Sequence, residues 1–175
     1  LPFSTRVERV MSHEDFFLKL ETERGGVVKG ESQDAEHRDE IDVIGWSWSM
    51  AAPTSATGVR HGRASPHPLV IRKRTDLSSP ALMGAVSRND RITSAVLTAR
   101  RAGDTGGQQT FMVITLRDAF VTSFEVEAEG GALSSGAVER LKISFHQITV
   151  DYTLQGEDGL QRGATSFDDT WAASE

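Results

Sequence analysis

The chain has 175 residues, 38% of them hydrophobic and 25% charged, which is enough for one domain with a sizeable apolar core. Its formal net charge of -6 opposes a duplex phosphate backbone unless a local basic patch overcomes it, so nucleic acid is not expected as a partner. The absence of cysteine removes disulfides, thiolate metal sites and thiol nucleophiles, and no apolar run approaches the roughly 20 residues of a membrane helix.

From the N-terminus, residues 1–10 read poorly as structure and are expected to be disordered upstream sequence, with Met11-Ser12-His13 as a natural start. A single β domain is expected over 11–175. Period-two runs rich in valine, isoleucine and aromatics, separated by glycine-bearing turns, predict strands over 15–20, 41–50, 69–73, 94–101, 110–120, 122–128 and 138–154. A weaker one lies near 165–171. In the first, Phe16, Leu18 and Leu20 share a face; later, Met112, Ile114, Leu116, Phe120, Phe124 and Val126 share one parity.

Two strands change parity. Ile41 and Val43 are odd, whereas Ile44, Trp46, Trp48 and Met50 are even; Leu141, Ile143 and Phe145 are odd, whereas Ile148, Val150, Tyr152 and Leu154 are even. A one-residue slip turns every later side chain to the other face, so β-bulges near 43–45 and 146–147 are predicted to keep both sets inward. Long strands bent in this way close barrels. Trp46 and Trp48 are therefore read as core residues in preference to a ligand cage, the alternative that their aromatic faces offer.

The segment 51–68 holds three prolines and two glycines and no acid, and reads as a long irregular loop. Such a loop in a compact domain binds something or is disordered. One helix is predicted over 80–87, with Ser79 as N-cap, Pro80 at the first helical position, and Leu82, Met83 and Val86 on one side.

No catalytic signature emerges. Gly25-Gly26-Val27-Val28-Lys29-Gly30-Glu31-Ser32 has lysine before glycine and an acid where a phosphate cradle needs none. No Gly-x-Ser-x-Gly elbow is present. His13, His37, His61, His67 and His146 lack metal-ligand spacing; His61 and His67 share the loop and read as exposed side chains before they read as a weak metal site. Asp168 and Asp169, adjacent on a strand, point to opposite faces. A hydrolase using His146 or His37 has no partnered nucleophile. No cofactor and no turnover are expected.

Charge is distributed unevenly. Between Glu31 and Asp42 stand six carboxylates and one arginine, whereas from Val43 to Thr75 there is no acid and Arg60, Arg63, Arg72, Lys73 and Arg74 supply five cations. If copies meet head to tail, an acidic surface around Glu36 and Asp39 can face a basic surface around Arg72, Lys73 and Arg74.

The succession Phe17-Leu18-Lys19-Leu20, Lys29-Gly30-Glu31-Ser32 with His37 and Glu40-Ile41, Trp46-Ser47-Trp48, Ser79-Pro80-Ala81-Leu82-Met83, Ile114-Thr115-Leu116 and Val150-Asp151-Tyr152 resembles the Hcp family, tube proteins of the bacterial type VI secretion system. The resemblance runs from Asp15 to Leu154. It implies a mainly β fold, a β-barrel-like pair of antiparallel sheets with one short helix at the side. It further implies homohexameric rings stacked into a tube, held in the cytoplasm before firing and then secreted, with the spike protein, the contractile sheath and small effectors carried in the lumen as partners. In that setting the loop carrying Arg60, His61, Arg63 and His67 would touch the next ring. The alternative kept open is a small β-barrel binding module for an apolar or sugar ligand, its cavity lined by Trp46 and Trp48.

Overall fold

The computed structural model describes residues 13–103, 107–131, 136–155 and 161–171; the expectation for 1–10 falls outside them. The elements are β1 (Glu14–Thr22), β2 (Gly26–Val28), β3 (Ile41–Ser47), β4 (Met50–Ala51), β5 (Ser65–Pro66), β6 (Leu69–Arg74), α1 (Ser79–Ser87), β7 (Arg91–Ala102), β8 (Gln108–Glu127), β9 (Val138–Gln155) and β10 (Gln161–Thr170). Six antiparallel strands follow one another in the order β9, β6, β3, β1, β7, β8, and β8 pairs with β9 again, which closes a barrel. β10 continues the edge of β9 beyond β6, and β2 extends the edge of β1. Counted round the barrel, β1 and β7 stand opposite β6 and β9.

The mainly β fold with one short helix agrees with the expectation. Inside, Leu18 and Leu20 of β1, Ile71 of β6, Leu97 of β7, Leu116 of β8 and Leu141 of β9 are all buried. Side chains fill the space that a ligand-binding barrel would leave open, as small closed barrels permit.

The first parity shift is a bulge where the sequence placed it. Val43 pairs with Lys73 and Gly45 with Arg72, leaving Ile44 extra in β3. Trp46 thereby regains the inward side, while Ile44 itself is 42% exposed, and Met50, beyond the strand, is exposed too. The even-numbered set is thus only partly internal: the bulged residue spends its side chain on making the turn of phase.

The second shift is real but is made differently. Leu116 pairs with Ile148 and Ala119 with Phe145, so both strands change face together at Asp118 and His146 without a slip between them. Asp118 makes this possible with a left-handed φ of 51°. The register shift of this pair lies instead between Val121 and Ser123. As a result 108–127 is one continuous strand in which Ala119 and Val121 follow Leu116 into the core, and Val126 is exposed, contrary to a single parity throughout.

Helix α1 begins one residue early, at Ser79, with Ser78 as N-cap. Asp76 accepts from the Ser78 backbone N–H (2.9 Å), and the Ser79 hydroxyl turns back to accept from the Asp76 N–H (3.0 Å). Leu82 and Ala85 are buried and Val86 packs on the core, whereas Met83 is exposed.

Segment 51–68 is not irregular. β4 pairs with β5, Thr54 bridges Arg60, and His61 N–H donates to Pro53 O (2.8 Å), so it forms a β-hairpin arm.

Candidate assembly surfaces

The first surface is a polar cap made by residues 29–40 on the outside of β1 and β7. Its two limbs pair through Gly30 N–H to Asp39 O (2.8 Å), Ser32 N–H to Glu40 O (3.0 Å) and Asp39 N–H to Ser32 O (3.0 Å). Gly30 is required by contact: a Cβ there would lie 2.4 Å from Glu40 O and 2.6 Å from Ile41 Cα. At the tip, Asp34 Oδ1 accepts from the Glu36 and His37 N–H groups, folding an Asx turn.

This cap covers an outward-facing phenyl ring. Phe17 is buried although it points away from the barrel, because His37 stacks on it and Arg100 lies over it with its guanidinium carbon 4.8 Å from the ring centroid. His37 Nδ1 is fixed by Glu40 Oε2 at 2.9 Å. Arg100, only 5% exposed, donates to Asp34 through both terminal nitrogens and to Glu36 Oε2 at 3.2 Å. The hydrogen bonds from Arg100 hold the Asp34 carboxyl below its ordinary value; burial opposes them and the two backbone N–H groups assist. Of the motif residues, Gly30, Ser32 and His37 thus build the cap, and Lys29 and Glu31 face solvent. Phe17 entered the sequence reading only as part of the first-strand run Phe17-Leu18-Lys19-Leu20, and Arg100 had no signal of its own beyond lying on the non-core parity.

The second surface is the hairpin arm and the aromatics at its base. Trp46 and Trp48 are half-buried against the core. Trp46 meets Phe16 edge-on, and Phe145 lies between Trp48 and Trp171. The indole of Trp48 donates to His67 O (3.1 Å) and that of Trp171 to Ala64 O (2.9 Å), while Arg63 covers Trp171 and pairs with Asp169. Arg63 and His67 therefore serve the arm's root. Arg60 and His61 lie on its exposed outer part. Among the described residues no group of histidines and acids is placed to hold a metal ion.

The third surface is the outer face of β6, β9 and β8. Arg72 stands directly across from Arg140, Val70 across from Lys142, and Arg140 across from Glu125. Two adjoining hollows of about 500 and 350 Å³ share Ser47 and Val70; Arg72, Arg140, Glu125, Glu127 and Glu129 line the larger, and Trp48, His67 and Lys142 the smaller. Among the described residues, no carboxylate forms an ion pair with Arg72, Arg140 or Lys142.

Lys73 does not belong to this surface, which corrects its assignment to contacts between copies. It faces inward on β6, fully buried, with Nζ 2.8 Å from both Asp76 Oδ1 and Glu139 Oε2 and 3.2 Å from Ser79 Oγ. An ammonium so enclosed is committed to tying α1 to the barrel. His146 is likewise engaged: its Nδ1 lies 2.9 Å from Asp118 Oδ2, and Asp118 Oδ1 accepts from Arg91 Nε at 2.6 Å.

Comparison with known proteins agrees with this architecture. A family model described as "Type VI secretion system effector, Hcp" matches residues 17–152. Protein hcp1 of Pseudomonas aeruginosa is 36% identical over 152 residues, spanning 85% of this chain and 89% of the relative. The Major exported protein of the same organism is 23% identical over 135 residues, 74% of this chain and 78% of the relative. Among solved structures, a crystal structure of Hcp protein superposes with a TM-score of 0.81 at 22% identity, covering 93% of this chain and all of the other. Hcp1 from E. coli EAEC 042 gives 0.73 at 22% identity, covering 90% and 99%.

Proposed function

The chain belongs to the Hcp family and is a type VI secretion tube subunit, and from that premise we propose that its copies close into hexameric rings, which stack into an exported tube and carry small effectors in the lumen. The role is mechanical, without turnover or cofactor, and the spike protein and contractile sheath are its partners in the apparatus. Export is supported by the relative named Major exported protein. No helix among the described residues is long and apolar enough to cross a membrane.

The observation that carries the ring reading is the pairing of unlike surfaces on one small barrel: a carboxylate-rich cap on β1 and β7, and a cationic face on β6 and β9 across from it. Unlike surfaces on opposite walls favour heterologous contacts, which close into rings when the rotation permits. The arm, standing out beyond the barrel with Arg60 and His61 exposed, is the contact to the next ring.

Light scattering coupled to size exclusion tests the ring directly, with a hexamer expected and a monomer at high concentration overturning it. Deleting 56–65 should leave single rings while shortening or abolishing stacks in electron micrographs; unchanged tubes would remove the arm from the stacking contact.

A further inference from the structure

The paired arginines on the barrel's outer wall lack something. Like charges directly opposite one another on neighbouring strands destabilise a sheet. Arg72 and Arg140 occupy such positions, both exposed, with Lys142 two residues along β9 on the same side. Glu125, the cross-strand neighbour of Arg140, accepts instead from the Ser123 hydroxyl at 3.4 Å. Arg72 and Arg140 line the larger hollow and Lys142 the smaller one beside it, and among the described residues none of the three forms an ion pair; Val70 is common to both hollows and half-buried Trp48 lines the smaller.

Glu125, Glu127 and Glu129 line the larger hollow beside the arginines. A polyphosphate or nucleic acid would meet those carboxylates as well as the arginines, and the chain's net charge of -6 adds to the repulsion. The ligand that fits is dipolar: carboxylates for the arginine forks, which bind them in two-point fashion, and a cation beside them for the glutamates.

A surface of that description stands on the opposite side of the same barrel. The cap exposes Glu31, Glu36 and Asp39, with the exposed cation Arg38 immediately before Asp39. Glu36, 76% exposed, touches Arg100 with one oxygen only. The Arg100 and His37 stack on Phe17 backs the cap, and Arg100 orients Glu36 before any contact forms, which lowers the ordering cost of binding at that residue.

We propose that Arg72, Arg140 and Lys142 form a carboxylate seat that is completed by Glu31, Glu36 and Asp39 of a second copy, with Arg38 of that copy against Glu125, Glu127 and Glu129. This rests on the assembly reading above and specifies its contact. It replaces Lys73 with Arg140 and Lys142, and it makes the contact directional, because each copy offers one seat and one cap.

Charge exchange tests it. One variant carries Arg72→Glu and Arg140→Glu; a second carries Glu31→Lys and Glu36→Lys; circular dichroism and melting show that each is folded. Each alone should fall to monomers in light scattering, since acid would then meet acid, or base meet base. An equimolar mixture should regain the native oligomer with the two chains alternating in a 1:1 ratio by native mass spectrometry. A gentler cap variant, Glu31→Lys with Asp39→Asn, leaves every partner of Arg100 in place and should weaken association at least tenfold should the stronger variant not fold. A native chain that is itself monomeric would overturn the ring reading. A native oligomer whose variants assemble unchanged, or whose mixture fails to recover, would overturn the seat alone.

Discussion

The imidazole of His37 lies flat on the ring of Phe17, with centroids 4.4 Å apart and planes 6° from parallel. That contact gives the polar motif its physical meaning. A barrel strand has two faces, and β1 places an aromatic on the wrong one; the cap supplies a second small core for it, built of a histidine, an arginine and the acids that orient them. The motif is thereby a scaffold first and a charged surface second.

Gly30 decides whether the cap can close. Gly30→Ala sets a Cβ against backbone atoms of Glu40 and Ile41 that no side-chain rotation can clear. The expected loss is about 3 kcal/mol, in the upper part of the range for overpacking. Urea unfolding should show it as a lower midpoint with an unchanged slope, and a midpoint equal to that of the native chain would mean that the limbs are not packed this closely.

Acid should loosen the cap before the barrel. The folded Asp34 carboxyl titrates below its ordinary value, chiefly through Arg100. A depressed folded value means that the stabilisation is complete above the unfolded value near pH 3.9 and is lost as pH falls through the folded one. Asp34→Asn should accordingly lower stability at pH 7 and flatten its decline below about pH 4. Urea midpoints of both proteins between pH 2.5 and 7 check this; parallel curves would remove Asp34 from the acid limb.

How much of this was legible follows from what strand parity can carry. The bulge at Ile44 was visible because the apolar run changes phase within one strand. At His146 the same signal was present, but whether a partner slips or turns with it is a property of two strands, and the left-handed Asp118 that lets β8 turn leaves no mark on β9. Lys73 was open to better reading: Leu69-x-Ile71-x-Lys73 and Glu139-x-Leu141-x-Ile143 place both charges on the inward parity, which marks a buried pair. The arm was not legible as a hairpin, since its pairing is made by backbone groups of polar, proline-rich sequence. Nor was the Arg100 contact with Asp34, whose partners lie 66 residues apart.

The buried Lys73 and Glu139 pair should behave asymmetrically. Lys73→Met leaves Glu139 fully enclosed and Asp76 nearly so without their cation. Breaking a buried pair from one side costs about 3 to 5 kcal/mol, whereas replacing both members by apolar groups is often neutral. Lys73→Met with Glu139→Leu should therefore recover most of the loss seen with Lys73→Met alone. If the two losses merely add, the pair is not coupled and α1 is held by Leu82 and Ala85 instead.

Asp42 is the residue whose neutralisation should help. Although its side chain reaches solvent, the protein around it strips part of its water, and the carboxylates of Asp76, Asp15 and Asp34 add to the burden; together these raise its pKa against a hydrogen bond from Ser32. A raised folded value for an acid means that the charged form costs the fold stability. That cost is absent below the unfolded value near pH 3.9 and is complete once pH has risen past the folded one. Asp42→Asn keeps an acceptor for Ser32 and removes the charge, so it should raise the melting temperature at pH 7 and leave it nearly unchanged at pH 3. The same substitution also separates two sources of cap acidity. Asp42 stands on β3 beneath the cap and outside the proposed seat contact, so Asp42→Asn should stabilise the subunit without loosening the oligomer, whereas Glu31→Lys should do the reverse. Melting and light scattering on the two variants give that comparison, and a stabilised Asp42→Asn protein that no longer assembles would place Asp42 within the contact.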